Sequence, residues 1–542
     1  MKVKHWLLLI LGLAFLLRIA GINYGLPLQL VGDEPSPLYG SLQMLETRTL
    51  IPGLHPSEFL QKLYFPPYLS YIYIIPVTIV LGLWYLVSGV SFETFKNLVM
   101  LDPTALFLTI RLLSAAAGTL AVYFVYKAGR NIFKEERAAL LSGAVMALAY
   151  LPVNFSHWGR HWSFVTLVFS LVIWTLSRTD LSTKGRYLWS TVLVGFGFGI
   201  NYQAGIATIF IISWYLLADK YSIVEALKSK WFWQVVLTFC VLIGTVIALY
   251  PQNLQVIAPI SVARYSADEP TGLFGFIWSY YFYFKLLLLT EPTLLIAMVV
   301  GLLVGLKSKI IRRYFLTSAI FAILYVAIFY FAFHLQGRYI LMLYPLFAII
   351  GGYGLSRMNK NIAYVLLGVM LVISLRFDQL LIKNDTRIQT RQWIFENVES
   401  GSKVVVLARL TRLPNIPEAI SEQALIDPGS LRKVDEAERS LPPQYLPDLH
   451  YHALNLGTVS NGELFTNLNR YLVENKYDYA VISPEFAIGH DLPSSCCGSI
   501  VKSFPGYDTL DDINDLTNGF GGGLPFLFSG RSNGPTINMM RL

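Results

Sequence analysis

The chain has 542 residues, 54% hydrophobic and only 14% charged, whereas soluble globular domains carry about 25% charged residues. That composition excludes an ordinary soluble enzyme and describes a polytopic α-helical membrane protein. The formal net charge of +8 is no nucleic-acid signal. Most basic residues fall in short loops between apolar runs, where they orient a membrane chain, and no RNA- or DNA-binding module is visible.

The N-terminal MKVKHWLLLILGLAFLLRIA has the basic start and apolar run of a signal peptide. It lacks a small-residue cleavage site and further apolar runs follow, so it reads as a retained first helix. With about 20 mostly apolar residues needed per span, about eleven spans are predicted: 6–20, 106–126, 138–153, 162–177, 187–201, 204–218, 231–250, 292–306, 314–333, 339–355 and 361–375. The positive-inside rule puts Lys2 and Lys4 in the cytoplasm, with the basic loops 127–137, 177–186, 219–230, 307–313 and 356–360. The other face then receives 21–105, 154–161, a turn near 202, 251–291, 334–338 and the C-terminus. The stretch YFPPYLSYIYIIPVTIVLGLWYLVSGV (64–90) is long enough to span, but one crossing there would turn every basic loop outward. With Pro66, Pro67 and Pro76 working against a straight helix at its start, it reads as a juxtamembrane or re-entrant element, or as a pair of half-crossings.

After Leu375 the composition changes. DTRIQTRQWIFENVESGSKVVVLARL reads as amphipathic helix, turn and strand. ELFTNLNRYLVENKYDYAVIS repeats helix then strand, with Tyr479–Ile482 as strand core. The division is a membrane part, 1–380, with its first outer loop at 21–105, and a soluble α/β domain, 384–542, outside the membrane. Three cysteines make no disulfide framework. Cys240 is expected in the core, and the adjacent Cys496 and Cys497 are read as thiols rather than a strained vicinal pair.

This topology gathers polar side chains on the outer face. They are Asp33, Glu34, His55, Glu58 and Lys62; His157, Arg160 and His161; Arg264, Asp268, Glu269, Lys285 and Glu291; and His334, Gln336 and Arg338. A carboxylate there can take a proton from an acceptor, and arginine or lysine can hold a phosphate. The set suits a phosphate-bearing lipid attacked at its polar head. Plainer readings compete. Arg264 or Lys285 alone can snorkel to headgroups. His157 and His161 share a helical face, but HWGRH lacks the glutamate of a zinc-protease motif. His55 and Glu58, in HPSE, have no second half. Asn154-Phe-Ser and Asn384-Asp-Thr fit glycosylation sequons that arise often by chance.

A first span, the DE pair and LIPGLHPSEFLQKLYFPPYLSYIYIIP, followed in order by IRLLSAAAGTLAVYFVYKAGRNIF, SHWGRHWSFVTLVF, GRYILMLYPLFAIIGGYG, DTRIQTRQWIFENVESGSKVVV, YDYAVIS and GPTINMMRL, resemble the GT-C superfamily of membrane glycosyltransferases. The nearest group is the glycosyltransferase family 39-like one, related to the protein O-mannosyltransferases and the lipid A aminoarabinose transferase. The likeness rests on order and topology over nearly the whole chain rather than on any one motif. It implies a polyprenyl-phosphate sugar donor of dolichyl or undecaprenyl type, a groove for that lipid among other membrane lipids, and inverting transfer to an unknown protein, lipid or glycan acceptor.

The resemblance further implies Asp33 as general base or acceptor-orienting acid, Glu34 as its supporting family acid, and Arg338 as a phosphate ligand with Arg264 or Lys285. His55, Glu58, His157 and His161 fall in the acceptor-side loops. Two departures stand out. His161 occupies the place where many relatives carry an aspartate, and no lysine precedes the proline in LYFPP, where Lys62 lies four residues earlier. No cofactor is certain, and a divalent metal stays open. Two other classes compete: a lipid or solute transporter (flippase), which usually shows midplane charges and inverted repeats, and a non-catalytic pseudoenzyme of the same fold.

Overall fold

The structure is a computed structural model, described here for residues 3–60, 62–255, 272–332, 335–427, 429, 431–457, 468–484, 498–507 and 523–542. Arg264, Asp268, Glu269, His334, Cys496 and Cys497 lie outside the described residues.

Each of the eleven predicted segments is helical, but their count as spans is not borne out. Among the described residues, seven helices are long and apolar enough to cross a membrane, or eight if the bent pair Glu136–Leu148 and Tyr150–Ser156, 55° apart, is one span. Val3–Ile19, with 17 residues, and the apolar Trp162–Ser177, Tyr202–Ala218 and Pro292–Gly305 are shorter. Two of the seven, Tyr68–Ser88 and Gly272–Thr290, were predicted as loop elements of the outer face.

Both pack against described parts of the bundle. Tyr68–Ser88 is one unbroken helix in spite of Pro76, so a pair of half-crossings is not what forms. Its start packs on Phe196 and against Gly199, near the end of Thr183–Ile200. Its end packs on Phe92 and Phe95, in the helix Phe92–Leu101 that touches Lys433–Ser440 of the C-terminal region. Gly272–Thr290 packs along Lys309–Ala332: Tyr330 donates to the Gly272 carbonyl, Tyr280 to the Ile323 carbonyl, and Tyr283 to the Gln336 carbonyl.

The bundle core is built on close helix contacts. A Cβ on Gly354 would lie 2.0 Å from the Ala297 carbonyl oxygen, and one on Gly301 would lie 2.2 Å from that of Ile350. Pro292–Gly305 and Tyr344–Arg357 therefore approach backbone to backbone, the small-residue packing that holds apolar helices together where water gives no drive. Lys230–Leu249 lies at the edge instead, with 6% of its apolar window buried. Cys240 on it is exposed, which corrects the expectation of a core cysteine.

The C-terminal region folds around a five-stranded sheet. The strands are β1 (Lys403–Leu407), β2 (His452–Asn455), β3 (Tyr479–Ile482), β4 (Ser499–Phe504) and β5 (Ile537–Arg541), in the order β2-β1-β3-β5-β4. β1 pairs parallel with β2 and β3, and β5 runs antiparallel to both β3 and β4. Val404, Val405, Val406 and Leu407 are all fully buried, as a strand covered on both faces requires. The region is fastened to the bundle by Asp385, which caps the helix Thr386–Asn397, pairs with Arg387 at 2.8 Å, and accepts a 2.6 Å hydrogen bond from the Tyr24 hydroxyl.

Candidate active site

Two adjacent acids leave the first loop in different directions. Glu34 has no exposed surface. Arg111 donates to both of its carboxylate oxygens at 2.7 Å, and the Gly159 amide donates at 2.7 Å as well. Arg111 also donates to the carbonyls of Ile22 and Tyr24 and lies 5.4 Å from the Trp158 ring centre. This one guanidinium joins the helix Thr104–Phe133, the turn after the first helix, the acidic loop and the 157–161 turn. An arginine inside a 30-residue apolar helix is itself a signal, since charge placed there is normally paired or functional.

Asp33 turns the other way. Its backbone has φ of +60°, in the left-handed region that aspartate tolerates better than most residues. Its side chain is 46% exposed. Arg160 donates to Asp33 Oδ2 at 2.8 Å, and Arg338 lies 3.8 Å from the same oxygen. Arg160 is buried, Arg338 sits 5.9 Å from the Trp162 ring centre, and the Nε of each is buried with no hydrogen-bond partner. Burial, then the charge of Arg338, pushes the Arg160 pKa down to about 10, which leaves it charged at neutral pH. The chemistry on offer is an accessible carboxylate between two guanidinium groups that keep donor capacity for an anion.

The other predicted positions divide. His161 is buried between Phe65, at 4.6 Å, and Trp162, at 4.2 Å, and its Nε2 has no partner. Burial, with Arg160 and Arg338 beside it, holds its pKa well below the ordinary 6.5, so the ring is neutral. His157 is also buried. Its ring nitrogens lie 2.9 Å from the Val153 and Ala20 carbonyl oxygens, which makes it a tie between helices and not a loop residue facing an acceptor. His55 and Glu58 form a half-exposed pair at 3.5 Å. Glu58 also accepts from Gln43, to which Lys62 is bonded; among the described residues this group is not joined to Asp33, whose partners are Arg160 and Arg338. Lys285 lies on Gly272–Thr290, two residues past the Tyr283 that reaches Gln336. Asn154 is fully buried, so the first sequon does not present an acceptor amide. Among the described residues, no group of three or more His, Cys, Asp or Glu side chains is placed to hold a metal ion.

Sequence reasoning placed Arg160 on the outer face without giving it a role, and noticed Arg111 only as the lead of a resembling segment. Arg160 lies 127 positions from Asp33, a pairing that no local pattern announces.

The bundle with its C-terminal sheet matches ArnT from Cupriavidus metallidurans in the apo state. The TM-score is 0.51 at 13% identity, over 93% of this chain and 97% of that one. The fold is that of the GT-C membrane glycosyltransferases. ArnT bound to undecaprenyl phosphate matches with a TM-score of 0.48 at 13% identity over 99% and 98%, and the apo oligosaccharyltransferase of Archaeoglobus fulgidus with 0.45 at 14% over 89% and 70%. Residues 104–250 match the family model described as dolichyl-phosphate-mannose-protein mannosyltransferase. No curated protein sequence matches the chain. The matched segment holds Arg111, Arg160 and His161, whereas Asp33, Glu34 and Arg338 lie outside it.

Proposed function

We propose that the protein transfers a sugar from a polyprenyl-phosphate donor, of dolichyl or undecaprenyl type, to a protein, lipid or glycan acceptor on the extracytoplasmic face of the cell membrane, with inversion. The observation that carries this reading is Asp33, an exposed carboxylate held between Arg160 and Arg338. The donor class follows from the family description of residues 104–250.

An acceptor oxygen attacks the anomeric carbon and the carbon–oxygen bond to the phosphate breaks, its electron pair leaving with the phosphate. The acceptor proton passes to Asp33. Arg338 and Arg160 neutralise the departing polyprenyl phosphate, where fixed donors act on developing charge; Lys285 and Arg264 are kept as further phosphate contacts. In the unliganded protein these arginines face Asp33. An incoming phosphate competes for them and leaves the carboxylate freer to accept a proton. Glu34, with both oxygens occupied, supports the loop that aims Asp33 and does not meet the substrate. Residues 1–380 form the catalytic membrane part, and 384–542 lie on the same outer side.

The test incubates purified protein with labelled polyprenyl-phosphate sugars. Release of polyprenyl phosphate by the wild type, lost in Asp33→Asn, supports the enzyme. Movement of the lipid without release identifies a flippase, and neither activity with any donor identifies a scaffold.

A further inference from the structure

The C-terminal sheet holds a second group of basic and unsatisfied polar side chains, apart from the membrane site. It lies where β1 and β2 end. In open sheets with parallel strands, ligands bind beyond the carboxyl ends. The turn after β1 runs through Leu410, whose φ of +61° is a genuine outlier for a bulky residue, into Thr411 and Arg412. The turn after β2 contains Gly457, where a Cβ would lie 2.6 Å from the Ala408 carbonyl oxygen, so the two turns touch. They and Arg432 line a small open cleft. It suits one functional group of a larger molecule rather than a whole drug-sized ligand.

The polar atoms of this cleft are left over from the fold. Thr411 is 4% exposed and its hydroxyl has no hydrogen-bond partner. Asn455 spends its carbonyl oxygen on the Leu413 amide, and its side-chain nitrogen is buried without a partner. Buried donors without partners cost stability, and in a cleft they mark what a ligand supplies. The cleft also carries charge. Arg412 is matched by Asp435 at 2.8 Å and Glu438 at 2.5 Å. Arg432 donates its backbone amide to Asp435, and its guanidinium feels the Asp435 charge first, then those of Arg412 and Arg409. The charged groups that line the cleft are Arg412, Arg432 and Asp435.

We propose that this cleft is a binding site for an anionic group, a phosphate or a carboxylate, of a ligand that reaches the sheet. Arg432 supplies the charge, and Thr411 and Asn455 the hydrogen bonds. The site lies toward the acidic loop: Lys433–Ser440 packs on Phe92–Leu101, and Arg432 is within electrostatic reach of Tyr39, six residues beyond Asp33.

The test uses the purified full-length protein with inorganic phosphate, glucuronate or glucose, read by hydrogen exchange at 408–413 and 455–457. Phosphate or glucuronate is expected to slow exchange there saturably and glucose to leave it unchanged; the stronger of the two anions names the group. Arg432→Ala and Thr411→Val are each expected to raise the half-saturating concentration at least ten-fold, while Thr411→Ser keeps wild-type binding. Absence of protection by either anion, or protection unaltered in both Arg432→Ala and Thr411→Val, overturns the site. The local readout separates this cleft from anion binding at Arg160 and Arg338.

Discussion

Arg111 grips both carboxylate oxygens of Glu34 at 2.7 Å, and neither side chain has any exposed surface. Truncating one partner strands a buried charge, which costs about 3–5 kcal/mol. Arg111→Ala and Glu34→Ala should therefore lower stability by that amount, read as a fall in the thermal midpoint of the detergent-purified protein. Midpoints equal to wild type for both would show that the pair does not hold the loop.

Asp33 sits one residue away with the opposite exposure, so its replacement should leave the fold intact. Asp33→Asn is expected to keep the wild-type thermal midpoint and to lose roughly 10²- to 10⁴-fold in transfer rate, the usual contribution of a positioned base. Wild-type transfer by this variant would take the base role away from Asp33.

Arg160 and Arg338 are expected to act on the donor. Hydrogen bonds to charged groups contribute about 1.5–3 kcal/mol, so Arg338→Ala should weaken donor binding roughly ten- to hundred-fold, with the KM for acceptor little changed. Arg338→Lys should recover part of the loss, since lysine keeps the charge without the planar fork. Arg160→Ala should do the same and also lower stability, because Arg160 is buried. An acceptor KM that rises while the donor KM stays constant would reverse the assignment.

His157 gives the protein an acid sensitivity of predictable sign. Burial lowers its pKa from 6.5 to about 4, and His161 is lowered as well. Below the unfolded value near 6.5 the unfolded chain binds protons that the folded one refuses. Their contribution is thus full above that pH and is lost as pH falls toward about 4. For His157 the loss by pH 4 is on the order of 3 kcal/mol. Between pH 7 and pH 4 the thermal midpoint of His157→Gln should drop less, relative to its own pH 7 value, than that of the wild type; parallel curves for variant and wild type would rule the histidine out.

Much of this was legible from the residue pattern. Apolar runs become helices because a backbone away from water must satisfy its own hydrogen bonds, and all eleven runs are helical. Short apolar runs after amphipathic helices marked KVVV and YAVI as strands, now β1 and β3. What was not legible is depth and pairing. Tyr68–Ser88 and Gly272–Thr290 have the hydropathy of spans, and only tertiary contacts such as those of Tyr68, Phe95, Tyr330 and Tyr283 show which elements they pack on.

The acids show the same division. Composition and order by themselves determined a helical membrane chain with a DE pair after its first helix and an arginine near 338, because hydropathy and turn chemistry are local. They could not tell Asp33 from Glu34 by physics, since adjacent residues of one charge have the same local pattern. Tertiary structure decided that. A left-handed backbone at Asp33 turns one carboxylate toward Arg160 and Arg338, and Arg111, on a helix 77 positions away, closes over the other. Charge that distant elements must compensate acquires its role only when those elements meet.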